Sequence, residues 1–148
     1  MKQLYHGTID KFVPSIFEKG LVPVEDNKWD VTMGVFGFNP KQDEEPGYVF
    51  LTTSLGKAMK YATGKALYYR SAPGDKIGIP GLNSRIYKNS TAPTIEDAKP
   101  VVIKVLVPEK FELEPDPRDH FDAYRHLGPI EPKRIIKIQE IPYDDTRP

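Results

Sequence analysis

Leu4-Tyr5-His6-Gly7-Thr8 and, further along, Tyr48-Val49-Phe50-Leu51-Thr52-Thr53-Ser54 are the two runs on which the fold turns. The second alternates as a strand does, with Tyr48, Phe50 and Thr52 on one face and Val49 and Leu51 on the other. Ser54 then predicts the cap of a helix from about Leu55 to Tyr69, with Ala58, Met59, Tyr61, Ala62 and Leu67 available for burial. Around the first run, Leu4-Tyr5-His6 reads as a short strand. Thr8 or Asp10 can cap a following helix through Lys19, in which Phe12, Ile16 and Phe17 fall at helical spacing. Gly20 closes that helix as a residue just past a C-terminus should.

Outward from these runs, Val101 to Val107 is a β-branched strand, and Phe111 to Glu114 is a shorter extended piece bounded by Pro108 and Pro115. Arg134 to Ile141 supplies the last strand. Residues 25–46 and 71–100 read as irregular, the first carrying Trp29, Met33, Phe36 and Phe38. Fifteen prolines and 11 glycines cluster between the apolar runs, as ordered loops require. Few helices and many strands joined by long loops predict an α+β domain built on antiparallel sheets, and 148 residues suffice for one domain over 1–148.

Lysine plus arginine equals aspartate plus glutamate, 21 of each, so no global field recruits nucleic acid or an anionic membrane. The absence of cysteine removes disulfides, thiolate catalysis and cysteine-based zinc sites, and fits a reducing compartment. No stretch approaches the roughly 18 to 20 apolar residues of a membrane span, and Met1 to His6 lacks a signal peptide's apolar run. A soluble, cytoplasmic protein is expected.

Joined to a Phe-Leu-Thr-Thr strand and a helix carrying a further aromatic, Tyr5-His6-Gly7-Thr8 resembles the NAD-binding half of the ADP-ribosyltransferase superfamily, closest to the rifampin ADP-ribosyltransferase group. The resemblance extends over most of residues 4 to 142, although the loops at 25–46 and 71–100 do not follow the rifampin enzymes. It implies an ADP-ribosyltransferase-like fold, two small mainly antiparallel sheets forming an NAD cleft with few flanking helices. It also implies that His6 hydrogen-bonds a ribose hydroxyl and that Gly7 offers backbone groups to the nicotinamide carboxamide, with Tyr5, Thr8 and Thr52 lining the cofactor site. A neutral imidazole both donates and accepts, and glycine permits close approach of a ligand to the main chain.

The family's nicotinamide-stacking tyrosine corresponds to Phe50, which keeps the π face and lacks the phenol hydroxyl. Tyr61 sits where poly-ADP-ribose polymerases carry a second stacking tyrosine. The catalytic acid of the rifampin group corresponds to Glu114 in Phe111-Glu112-Leu113-Glu114-Pro115, with Asp116 two residues away as a rival. Ala123-Tyr124-Arg125 resembles a Ser-Tyr-Arg of that group, and Arg125 would pair with a diphosphate oxygen or with an acidic neighbour.

Other constellations are weaker. His120 and His126 lack a third ligand of suitable spacing, so no metal is expected. No Gly-x-Ser-x-Gly elbow supports Ser54 as a hydrolase nucleophile. Pro132-Lys133-Arg134 is too short a basic run to mark a nucleic-acid face.

The function implied by the resemblance is mono-ADP-ribosylation, with NAD as co-substrate and nicotinamide released. The acceptor would be a rifamycin-type antibiotic, a protein or a nucleic acid, with Trp29 and the two long loops on the acceptor side. An antitoxin-type protein partner belongs to the same reading. The alternatives are a catalytically weak NAD or ADP-ribose binding module and an NAD glycohydrolase.

Overall fold

Strand β1 (Lys2–Ile9) divides its side chains between the two faces of a sheet, as a period of two demands. Leu4 joins Val49, Leu51, Ile103 and Val105 in the larger core, whereas Tyr5 packs with Ala58, Ala62 and Val102, and Ile9 with Ala66, Tyr68 and Tyr69. The computed structural model describes residues 1–22, 30–33, 48–72, 75–78, 85–87, 94–117 and 119–142.

A 3-10 turn at Asp10–Phe12 leads from β1 into helix α1 (Val13–Lys19). Next come β2 (Asp30–Met33), β3 (Tyr48–Thr52), helix α2 (Leu55–Arg70), β4 (Lys76–Gly78) and β5 (Arg85–Tyr87). The chain continues through β6 (Pro100–Val107), β7 (Glu114–Asp116), β8 (Asp119–Leu127), a 3-10 turn at Pro132–Arg134 and β9 (Lys137–Ile141).

Six strands form one antiparallel sheet in the order β7-β8-β3-β1-β6-β9. The α+β class and antiparallel pairing therefore match the sequence. The partition does not, because every strand read from the sequence joins this one sheet. The second sheet, β2-β5-β4, is built within the segments read as irregular, from strands of three or four residues. Strands that short are set by their partners rather than by local pattern.

The six-stranded sheet is not uniformly laddered. All eight residues of β1 are in register with β6, and all five of β3 with β8. Between β1 and β3 the register comprises a single pair, Tyr5 with Thr52. The ladder is thus two three-stranded halves sharing one register pair, and the seam between them runs along His6, Gly7 and Thr8, which have no register partner on β3.

Helix α2 covers β1 and β6. Its start is as expected: the Ser54 side chain accepts from the Lys57 amide at 3.2 Å. Ser54→Ala should lower stability by about 1 kcal/mol, read as a shifted urea midpoint with unchanged slope. Gly20 also behaves as expected, with φ of 81° and its amide donating to the Ile16 carbonyl at 2.8 Å.

Four boundaries differ from the sequence reading, the first being β1, which extends over Lys2–Ile9 instead of Leu4–His6. Helix α1 starts at Val13 with Pro14 in its first turn and no side-chain cap. Thr8 lies buried in β1, and the Asp10 carboxylate accepts from the Lys99 amide at 2.9 Å instead of capping. Phe111 is buried outside any strand, and pairing with β8 begins only at Glu114. The last strand begins at Lys137, after the 3-10 turn that Pro132 opens. Among the described residues, no helix is long and apolar enough to cross a membrane.

Candidate functional site

Where the β1–β3 ladder stops, the His6 side chain bridges the seam. Its Nδ1–H donates to the Phe50 carbonyl at 2.8 Å, which leaves the Nε2 lone pair as an acceptor. Burial, reinforced by the positive charge of Lys65, lowers the His6 pKa to about 4 against the opposing hydrogen bond to Phe50. The ring is therefore neutral at physiological pH, with a defined tautomer, and Nε2 is suited to accept from a hydroxyl.

Gly7 stands next to this imidazole, and the Cβ side of Gly7 is occupied by α2. A methyl group there would overlap the Ala58 carbonyl oxygen, approach the Ala62 amide nitrogen to 2.8 Å and the Tyr61 Cβ to 3.2 Å. Close helix packing thus requires the glycine independently of any ligand. The same packing places Tyr61 beside Gly7, with 41% of its surface exposed. Phe50, 37% exposed, lies on β3 across the seam. Its ring is tilted against Tyr48 at 6.4 Å between centroids.

The other residues of the two motifs have structural partners. Tyr5 packs its ring toward α2 and accepts from Gln3 Nε2 at 2.6 Å. Thr8 is fully buried. Thr52 is buried too, and its Oγ1 accepts from the Ser54 amide at 3.0 Å, shaping the entry to α2. Trp29 lies outside the described residues.

Glu114 and Arg125 are brought together, but not at the seam. Arg125 Nε lies 2.6 Å from Glu114 Oε1, an ionic contact rather than a well-aligned hydrogen bond. The guanidinium also stacks over the Tyr48 ring, 4.1 Å from its centroid. Of the two partners foreseen for Arg125, the structure contains the acidic neighbour. Together with Glu112, His126 and Arg134 the pair borders a surface pocket of about 390 Å³. Strand β7 is three places from β1 in the sheet, about 14 Å at ordinary strand spacing. Asp116 is buried on the same edge strand.

Two features escaped the sequence reading. Asp122 on β8 is a strand closer to β1 than Glu114, and its carboxylate binds Lys57 Nζ at 2.5 Å near the start of α2. Its carbonyl accepts from the Thr53 amide at 2.9 Å. Lys65, on the same helix, is buried with its ammonium over the Phe12 ring. Helical spacing was the available signal, since Ala58, Ala62 and Lys65 fall on one face. Among the described residues, no group of three or more His, Cys, Asp or Glu side chains is placed to hold a metal ion. No family model, curated protein or solved structure matches the chain.

Proposed function

We propose that this protein is an NAD-dependent mono-ADP-ribosyltransferase whose dinucleotide lies at the β1–β3 seam. One observation supports the reading above others: a neutral imidazole with Nε2 as acceptor, bonded to the Phe50 carbonyl, is followed in β1 by a glycine that lies against Tyr61, and both aromatic rings are partly exposed. His6 Nε2 would accept from a ribose hydroxyl, and the rings would supply π faces for a pyridinium.

In this reaction the bond between ribose C1 and nicotinamide breaks, and nicotinamide leaves with the bonding pair. The ribose develops oxocarbenium character, which a carboxylate stabilises, and the acceptor oxygen or nitrogen bonds C1 while losing its proton. The acceptor is a rifamycin-type hydroxyl, a protein side chain or a nucleic acid. Glu114 and Asp122 are the two carboxylates to weigh as the acid, one held by Arg125 and one by Lys57. The Glu114–Arg125 pairing, with Phe50 in place of tyrosine, favours a second reading in which the chain binds NAD or ADP-ribose without turnover.

Nicotinamide release from NAD, followed by chromatography with and without rifampicin and a cell lysate, separates these readings. Release should depend on one carboxylate, falling about 100-fold or more in Glu114→Gln or in Asp122→Asn. Release without any modified acceptor would identify a glycohydrolase. Tight NAD binding with no release would sink the transferase reading and leave the binding module.

A further inference from the structure

Lys65 is the one cationic side chain among the described residues that is buried, with 7% of its surface exposed. Its ammonium meets no carboxylate and no hydrogen-bond acceptor among the described residues, and its near neighbour is the Phe12 ring, 5.7 Å from Nζ to centroid. Burying a lone ammonium is costly, and a methionine would fill the same volume without that cost. Burial lowers the pKa of Lys65 to about 8, so it remains largely protonated at neutral pH. A cation kept there with no counter-charge among the described residues is suited to an anion that arrives with a ligand.

Its position identifies the ligand's charged part. Tyr61 and Ala62 meet Gly7, the residue after His6, and Lys65 follows them within one turn of α2. It is four residues after Tyr61, hence about 6 Å further along α2 on the same side of the helix. A base ring beside Tyr61 and Gly7, a sugar hydroxyl on His6 and an anion at Lys65 follow the order of ring, ribose and phosphate in a nucleotide. Arg125, for which the resemblance left a diphosphate oxygen or an acidic neighbour open, is held by Glu114 and Tyr48.

We infer that Lys65 is the counter-charge for the diphosphate of the dinucleotide seated at the seam, an assignment that rests on the NAD reading above. Three probes test it by calorimetry on the wild-type chain, Lys65→Met and Lys65→Arg: NAD, nicotinamide riboside, which lacks phosphate, and inorganic pyrophosphate. Lys65→Met should weaken NAD and pyrophosphate about tenfold or more and leave nicotinamide riboside within about twofold, while Lys65→Arg retains most affinity for all three. A melting temperature for Lys65→Met at or above wild type shows that the variant is folded. NAD binding unchanged in Lys65→Met, an equal loss for nicotinamide riboside, or a wild type that binds neither NAD nor pyrophosphate overturns the assignment. Lys65-dependent pyrophosphate binding with no affinity for NAD or nicotinamide riboside upholds the anion site and removes the dinucleotide reading.

Discussion

Gly7→Ala is expected to lose about 3 kcal/mol or more of stability, a large part of the roughly 5 to 15 kcal/mol that holds a domain folded. The added methyl would overlap the Ala58 carbonyl oxygen and lie 2.8 Å from the Ala62 nitrogen. Both are backbone atoms of α2, so no rotamer change relieves the clash. The helix must retreat from β1, and the fully buried contacts of Ala58 and Ala62 with Val102 open with it. Gly56→Ala provides the contrast. A Cβ there meets only the Ser54 hydroxyl at 3.8 Å, and alanine in a helix should gain about 0.5 to 1 kcal/mol. Urea titrations of the two variants should therefore move in opposite directions. If Gly7→Ala melts with wild type, α2 does not sit this close to β1. The result also governs how binding data are read: loss of NAD affinity in Gly7→Ala would report a displaced helix before it reported a lost carboxamide contact.

The sequence was most legible where the determinants are local. Strand β3 and the start of α2 fall at their expected residues because alternation from Tyr48 to Thr52 and the Ser54 cap act within a few positions. Strand β8 gave no such signal. Asp122, Arg125 and His126 interrupt any apolar alternation, and the strand is held by pairing with β3 on one side and β7 on the other. The site divided along the same line. His6 reaches the Phe50 carbonyl and Gly7 lies against Tyr61 because β1, β3 and α2, each readable at least in part, bring them together. The Glu114–Arg125 pair depends on the register of β7 against β8, which sets the two residues opposite each other. Lys65 resembles Lys57 and Lys60 in composition, and only the side of α2 that faces β1 distinguishes it. Lys57 reaches Asp122 on β8, whereas Lys65 is buried with no carboxylate beside it among the described residues.

Acidification from about pH 6.5 to about pH 4 should cost up to about 3 kcal/mol through His6 alone. The sign follows from the protons bound: the unfolded imidazole takes one up below its ordinary value of 6.5, while burial and Lys65 keep the folded ring neutral down to about 4. The contribution is complete above 6.5, lost across that window, and constant below it. Lys65 acts in a separate window. Its folded pKa of about 8 lies below the ordinary 10.5, so stability should rise again as pH climbs between those values. The exposed carboxylates of Asp97 and Glu109, held low by Lys11 and by the amino terminus, lose their pairing toward the acid end. They are the same in every variant, so differences isolate His6 and Lys65. His6→Gln should flatten the urea midpoint between about pH 4 and about pH 6.5, and Lys65→Met should remove the alkaline rise while leaving most of the acid limb. An unchanged acid limb in His6→Gln would mean that the imidazole titrates freely. His6 would then be a cation over part of the physiological range and a donor at both nitrogens, unable to accept the hydroxyl that the proposed dinucleotide site assigns to Nε2.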